Sequence, residues 1–265
     1  MNKGKIFTIG SNLNISSNEP LLIKFVESIN KPDPTIGIVP SANANPSPSG
    51  KIYKDIFESL GIRTLLINPE DRDEANDERF ASITEDVDAF FFIGGHQLRV
   101  TAMLSKTKLL ENIHKKFNQG ALLGGIGAGT VCFTSKMIAQ DLIQHNFVKG
   151  EVELTDGLGF IDNAVIDTHF TIRGKLPILV HVISENPHLL GVGIGEETGI
   201  MWNFDKMEFE VYGRKNIIVL DGKDTDIEDT SKTGVGEPIR AANIKIHTLT
   251  VGCKYRFHDR QIIYP

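Results

Sequence analysis

The 265-residue sequence predicts an α/β protein in which helices flank a mostly parallel sheet, with extra β-strands towards the C-terminus. Three observations predict this. Short apolar runs alternate with amphipathic stretches through the first half. Residues 87–93 are nearly all apolar, as a strand buried on both faces is. Residues 121–133 run from an apolar strand through Gly125-Ile126-Gly127-Ala128-Gly129 into a segment that reads as helix to about residue 140. In such sheets ligands sit beyond the carboxyl ends of the strands. Two glycine turns, Gly94-Gly95 and residues 125–129, fall at that edge and are expected to face one cleft.

Taken in order, residues 5–10 are the first predicted strand. Residues 19–30 place Leu21, Leu22, Phe25, Val26 and Ile29 on one helical face. Residues 35–39 form a strand closed by Pro40, and 41–50 read as a loop rich in Ser, Asn and Pro. Residues 52–60 are helical, with Gly61 placed as a C-cap. Residues 63–67 are a third strand, 70–77 an acidic loop with a helix start, and 107–118 a helix. The second half is richer in strands: 164–170, 190–194, 200–204, 209–212, 217–220, 244–251, 255–258 and 261–264. One helix, 176–184, and a polar acidic loop, 222–236, lie among them. No repeat or linker divides the chain, so residues 1–265 read as one domain with a mixed sheet.

The composition narrows the function. The hydrophobic fraction of 40% is that of a soluble globular chain with a sizeable core. The formal net charge is −6, and no basic cluster exceeds His114-Lys115-Lys116. Nucleic acid and anionic membrane are therefore not expected partners. Two distant cysteines, Cys132 and Cys253, form neither a disulfide framework nor a metal-site spacing, and suit a reducing compartment. The first twelve residues are too weakly apolar for a signal peptide, and no run approaches the roughly 18 residues that cross a bilayer. A cytoplasmic location is expected.

Residues 125–129 have the frame of the G-x-S-x-G nucleophile elbow of serine hydrolases, with glycine at its centre. A phosphate-binding G-x-G-x-x-G turn and a plain glycine-rich connection remain open on this segment alone. A hydrolase elbow needs a base and a group that orients the base. Of eight histidines, His169 ends an apolar strand two residues after Asp167, and Glu196-Glu197 end another. On the residues alone, two unrelated strand-end residues is the simpler reading.

Five motifs then occur in a telling order: Gly94-Gly95-His96-Gln97-Leu98-Arg99, residues 125–129, Gly157-Leu158-Gly159-Phe160, Asp167-Thr168-His169-Phe170 with Arg173-Gly174, and Gly193-Ile194-Gly195-Glu196-Glu197-Thr198. From residue 5 to beyond Trp202 the chain resembles the cyanophycinases, in the serine peptidase family that also holds the aspartyl dipeptidases. The resemblance implies a class I glutamine amidotransferase-like, flavodoxin-like fold and a homodimer. It also implies a Ser-His-Glu triad without metal or other cofactor, and cleavage of β-aspartyl-arginine dipeptides from cyanophycin. It assigns the nucleophile's place to Gly127, the base to His169 and the carboxylate to Glu196. The oxyanion donors are then the N–H groups of Ala128 and Gly95, and Gln97, Asp167, Thr168, Arg173 and Lys175 bind substrate.

The departures from the family pattern are Gly127 for serine, His96 for aspartate, Thr168 for glutamine, Lys175 for arginine and Gly195 for aspartate. Lys175 cannot reproduce a bidentate arginine contact. Thr130 is expected to be buried against the elbow and Cys132 to be an inert core thiol. The expected function is a cyanophycinase-like pseudoenzyme that keeps a cleft for a β-aspartyl dipeptide or related peptide and does not hydrolyse it. The alternatives are an active β-aspartyl peptidase whose serine has been deliberately removed, and a nucleotide-binding protein that uses residues 125–129.

Overall fold

A computed structural model of the chain describes residues 3–11, 13, 16–42, 44–140, 147–171, 174–227 and 233–265. The first half alternates as read: β1 (Ile6–Ile9), α1 (Pro20–Glu27), β2 (Thr35–Val39), α2 (Pro46–Ser59), β3 (Arg63–Leu66), the single-turn helices α3 (Arg72–Ala75) and α4 (Glu78–Ala81), a 3-10 turn (Ser82–Asp86), β4 (Ala89–Phe92), α5 (Gln97–Leu104), α6 (Lys108–Asn118) and β5 (Leu122–Ile126). The five strands pair in parallel in the order β1-β5-β4-β2-β3. Caps follow the sequence: Glu19 accepts from Leu21 N–H ahead of Pro20, and Thr107 accepts from Leu110 N–H.

The remaining elements are α7 (Ala128–Val131), β6 (Lys136–Gln140), β7 (Glu153–Asp156), β8 (Ala164–Thr168), α8 (Leu176–Glu185), β9 (Leu190–Ile194), β10 (Thr198–Asn203), β11 (Glu208–Gly213), β12 (Ile217–Asp221), β13 (Asp226–Ile227), β14 (Ala241–Ala242), β15 (Lys245–Leu249), β16 (Lys254–Arg256) and β17 (Gln261–Ile263). They do not form one mixed sheet. β10, β11, β16 and β17 extend the parallel sheet antiparallel from β1, giving nine strands. β8, β9, β12 and β15 form a separate four-stranded sheet in which β8 and β9 are parallel.

Three further expectations are corrected. The helix after the glycine turn stops at Val131 and does not reach residue 140. The chain there is captured by the 157–161 segment: Leu158 and Phe160 N–H donate to the carbonyls of Cys132 and Phe133, and Ser135 N–H donates to Ile161 O. A Cβ on Gly157 would stand 1.9 Å from Thr134 O, so this docking requires glycine. Residues 46–50 are the first turn of α2 and not loop, since prolines fit where first-turn N–H groups have no helical partner. Residues 97–104 are helical. Part of the predicted 222–236 loop, residues 228–232, lies outside the described residues.

Alternate residues of each strand feed opposite faces of the nine-stranded sheet. Phe7, Ile9, Ile38 and Phe91 pack under Phe25 of α1 and Phe57 of α2, with Phe25 and Phe91 rings 5.1 Å apart. Ile6, Phe92, Leu123 and Trp202 share a core with α6 and with Ile166, Val192, Ile194 and Val219 of the second sheet. Each fully buried side chain of this size contributes about 1.5–3 kcal/mol. The second sheet's outer face, through Val165 and Leu220, lies under α8. This packing brings the carboxyl ends of β1, β4, β5 and β8 to one hollow. Among the described residues no helix is long and apolar enough to cross a membrane.

Candidate active site

Gly127 turns the chain between β5 and α7 with φ 57° and ψ −123°. An L side chain adopts that conformation only under strain. Its N–H donates to Ile9 O at 3.0 Å and Gly10 O at 2.8 Å, tying the turn to the end of β1. The outer glycines are required by space. A Cβ on Gly125 would stand 2.6 Å from Gly129 O, and one on Gly129 2.4 Å from Phe92 O. Position 127 is different, because a Cβ there meets nothing closer than Gly10 O at 3.7 Å and Gly94 Cα at 3.9 Å. The elbow therefore has room for a side chain that the sequence does not supply. Gly94 lies along the same turn, where its own Cβ would be 3.8 Å from Ala128 N.

β8 and β9 end side by side, Thr168 opposite Ile194. His169 follows β8 with φ 56° and is half-buried. Phe170 anchors the turn by filling the space above Gly193, where a Cβ would be 2.5 Å from its ring. Glu196, after β9, is buried, and Thr198 Oγ1 donates to its carbonyl at 2.9 Å. Glu197 has φ 51°, and its N–H donates to Ser11 O at 2.9 Å. Gly10 N–H donates to Thr198 O, and a Cβ on Gly10 would stand 2.0 Å from Gly195 O. The end of β1 thus holds the glycine elbow on one side and the chain around Glu196 on the other.

A cavity of about 510 Å³ opens at these strand ends. Gly127, His169, Ala128 and Gly95 line it, and so do Gln97, Asp167, Thr168 and Lys175. Glu196 does not line it, and Arg173 lies outside the described residues. Lys175 Nζ is 2.8 Å from Asp167 Oδ1, which also accepts Thr168 N–H at 2.8 Å, and both charged side chains are buried. Gln97 Nε2 donates to Ile138 O at 3.1 Å. His96 is exposed, and its Nδ1 accepts Leu98 N–H at 3.3 Å as the N-cap of α5. Sequence reasoning missed Ser11 and Tyr53 as lining residues. Ser11 had a usable signal, its place just beyond the first strand. Burial pushes the Tyr53 phenol up to about 12. Among the described residues no group of three or more His, Cys, Asp or Glu is arranged to hold a metal ion.

Neither hydroxyl nor thiol in the segment after the turn faces the cavity. Thr130 is fully buried, with Oγ1 2.6 Å from Gly125 O and accepting Ile9 N–H at 3.2 Å. Cys132 is fully buried beside Gly129 O, and desolvation pushes its thiol pKa far up. Both are structural groups.

The fold and the glycine elbow at its strand ends are those of an α/β scaffold whose relatives are peptidases. The profile of peptidase family S51 matches residues 6–209, and the chain belongs to that family. It is 31% identical over 262 residues to a cyanophycinase of Synechococcus elongatus, covering 98% of this chain and 81% of that one. A cyanophycinase of Geminocystis herdmanii is 29% identical over 261 residues, covering 98% and 96%. A peptidase from an acI-B1 Actinobacterium shares the fold with a TM-score of 0.68 at 18% identity, over 97% of this chain and 98% of that one. A putative peptidase E of Listeria monocytogenes EGD-e does so with a TM-score of 0.55 at 17% identity, over 80% and 100%.

Proposed function

We propose that this family member is a cyanophycinase-like pseudoenzyme that binds a β-aspartyl peptide beside Gly127 and leaves it whole. The observation that carries this reading is the elbow itself: its left-handed turn and obligatory outer glycines are present, with open space where a nucleophile's Cβ would stand. In a serine peptidase the hydroxyl attacks the carbonyl, histidine takes and returns the proton, a carboxylate orients the histidine, and N–H groups hold the oxyanion. Here His169 takes the place of the base and Glu196 that of the carboxylate. The N–H groups of Ala128 and Gly95 take the oxyanion positions. Gly127 has no atom to attack with. Loss of such a nucleophile costs on the order of 10⁶ in turnover and leaves roughly 10³–10⁴ over water. Thr130 and Cys132 are too deeply held to replace it.

Gln97, Asp167, Thr168 and Lys175 form the ligand-binding wall in this reading, and Arg173 is proposed as a further ligand-binding residue. Lys175 already serves Asp167, so the wall is not tuned as an arginine pair would tune it. The homodimer implied by the resemblance belongs to the same proposal and is checked by light scattering. The nucleotide reading is the weaker one, because α7 has only four residues and the Gly127 N–H is taken up by Ile9 and Gly10. The open space at 127 also suits an active β-aspartyl peptidase whose serine was removed by design, and a serine codon 127 in the native gene would decide for that. The direct test is Gly127→Ser assayed on cyanophycin, with release of β-aspartyl-arginine as the readout, and on β-aspartyl dipeptides. A rise in turnover of at least about 10³-fold is expected. Turnover equal to that of the glycine form goes against the reading.

A further inference from the structure

We propose that Ser11 is a ligand-binding residue of this cleft, whose hydroxyl donates to a carbonyl or carboxylate oxygen of the ligand held over residue 127. The inference rests on the β-aspartyl peptide reading above. Ser11 lies two residues beyond β1 and is 3% exposed. It lines the same cavity as Gly127 and His169. Its Oγ has no hydrogen-bond partner among the described residues. A buried hydroxyl in that condition is unfavourable until some group completes it, and a ligand in the cavity that Ser11 lines would supply one.

The position is fixed and not accidental. Ser11 O accepts Glu197 N–H at 2.9 Å, and the preceding Gly10 is hydrogen-bonded through both its N–H and its carbonyl. Gly10 O is also the atom nearest the vacant Cβ position of residue 127. The parallel register ends with Ile9 opposite Ile126, and Gly127 N–H then donates to Ile9 O and Gly10 O, the two residues that lead into Ser11. The hydroxyl therefore belongs to the same strand-end cavity as the elbow, where a ligand oxygen would be received. Ser49 lines the same cavity, but its hydroxyl already donates to Asn45 O at 3.0 Å. It makes an internal control.

The test is calorimetric titration of β-aspartyl-arginine into the full chain, Ser11→Ala and Ser49→Ala, with the melting temperature of each protein measured without ligand. Ser11→Ala is expected to weaken binding about 2- to 10-fold, the worth of one hydrogen bond. Its ligand-free melting temperature should equal or exceed that of the parent, and Ser49→Ala should leave the affinity unchanged. Unchanged affinity in Ser11→Ala overturns the inference and leaves the β-aspartyl reading standing. Weaker binding with a lowered ligand-free melting temperature assigns Ser11 a structural role and also overturns it. Failure of the parent protein to bind overturns the reading and the inference together.

Discussion

The large sheet has a hollow at each end of its parallel strands, and the two differ in kind. The one at the amino ends measures about 1070 Å³, twice the other, and Lys3, Lys5, Lys24, Lys31 and Lys116 line it. Most of that charge is already engaged. Lys31 Nζ is 2.7 Å from Asp88 Oδ1, and Lys116 Nζ donates to Glu85 O at 2.9 Å. Lys24 lies over the Tyr212 ring, and Lys3 over those of Phe117 and Phe204. The smaller hollow, at the carboxyl ends, holds left-handed turns, a buried ion pair and a buried hydroxyl without a partner among the described residues. Size does not find the site. Strained backbone and bonding capacity aimed into a hollow do.

Breaking an ion pair at each end should separate the two hollows most sharply. Lys175→Met at the carboxyl end removes a charged partner of a buried carboxylate and should destabilise by about 3–5 kcal/mol. Lys31→Ala at the amino end removes a side chain that is 55% exposed and should cost no more than about 1 kcal/mol. Denaturant unfolding of both variants makes the comparison, and equal losses would break it. Next in size is an alkaline effect. Because burial raises the Tyr53 pKa from 10 to about 12, its contribution is complete below pH 10 and is lost as the pH rises through 12. Tyr53's share of that loss amounts to about 2–3 kcal/mol, and Tyr53→Phe should reduce the alkaline loss by that much in unfolding curves taken across that range, leaving the share of Tyr212 and Tyr255, whose phenols are also pushed up by burial.

Placing a serine at the elbow should lower stability as it raises activity. Gly127→Ser has the space it needs but forces a side chain to φ 57°, so about 1–3 kcal/mol should be lost. A melting temperature equal to or above that of the glycine form would show that the turn carries no strain. The smallest effect lies at the amino end. Burial pushes the Asp88 carboxyl pKa up, but its hydrogen bonds from Lys31 and from Thr35 N–H outweigh this, and the net shift is downward. Its stabilising contribution is present above about pH 4 and fades as the pH falls through the folded value. Thermal unfolding between pH 2 and 5 should show a shallower acid dependence in Lys31→Ala.

Local pattern made much of this fold legible. β2 and β9 fall where their apolar runs place them, and α1 and α8 where their helical spacing does. Long-range pairing was not legible. β10 lies beside β1, with Thr8 Oγ1 donating to Ile200 O across 192 positions, and no local signal divides the late strands between two sheets. The helix drawn through to residue 140 failed because residues 157–161 capture the backbone after α7. α5 went unseen because its cap is His96, a residue type seldom read as an N-cap. The glycine frame at 125–129 was visible in the sequence, and coordinates add that its outer glycines are sterically required while the centre is not. Ser11 was hidden for a different reason: a strand-end serine reads as an ordinary turn residue until its hydroxyl proves to be enclosed, with no partner among the described residues.

The central claim is that an intact cleft holds its ligand and spares it. Equilibrium dialysis of a short soluble cyanophycin fragment against the glycine form, followed by mass spectrometry of the ligand recovered from the protein side, tests both halves at once. The expected result is fragment enriched by the protein and recovered whole. Free β-aspartyl-arginine appearing at about 1 s⁻¹ or faster, the range of ordinary enzymes, would contradict it. So would a fragment that distributes evenly across the membrane.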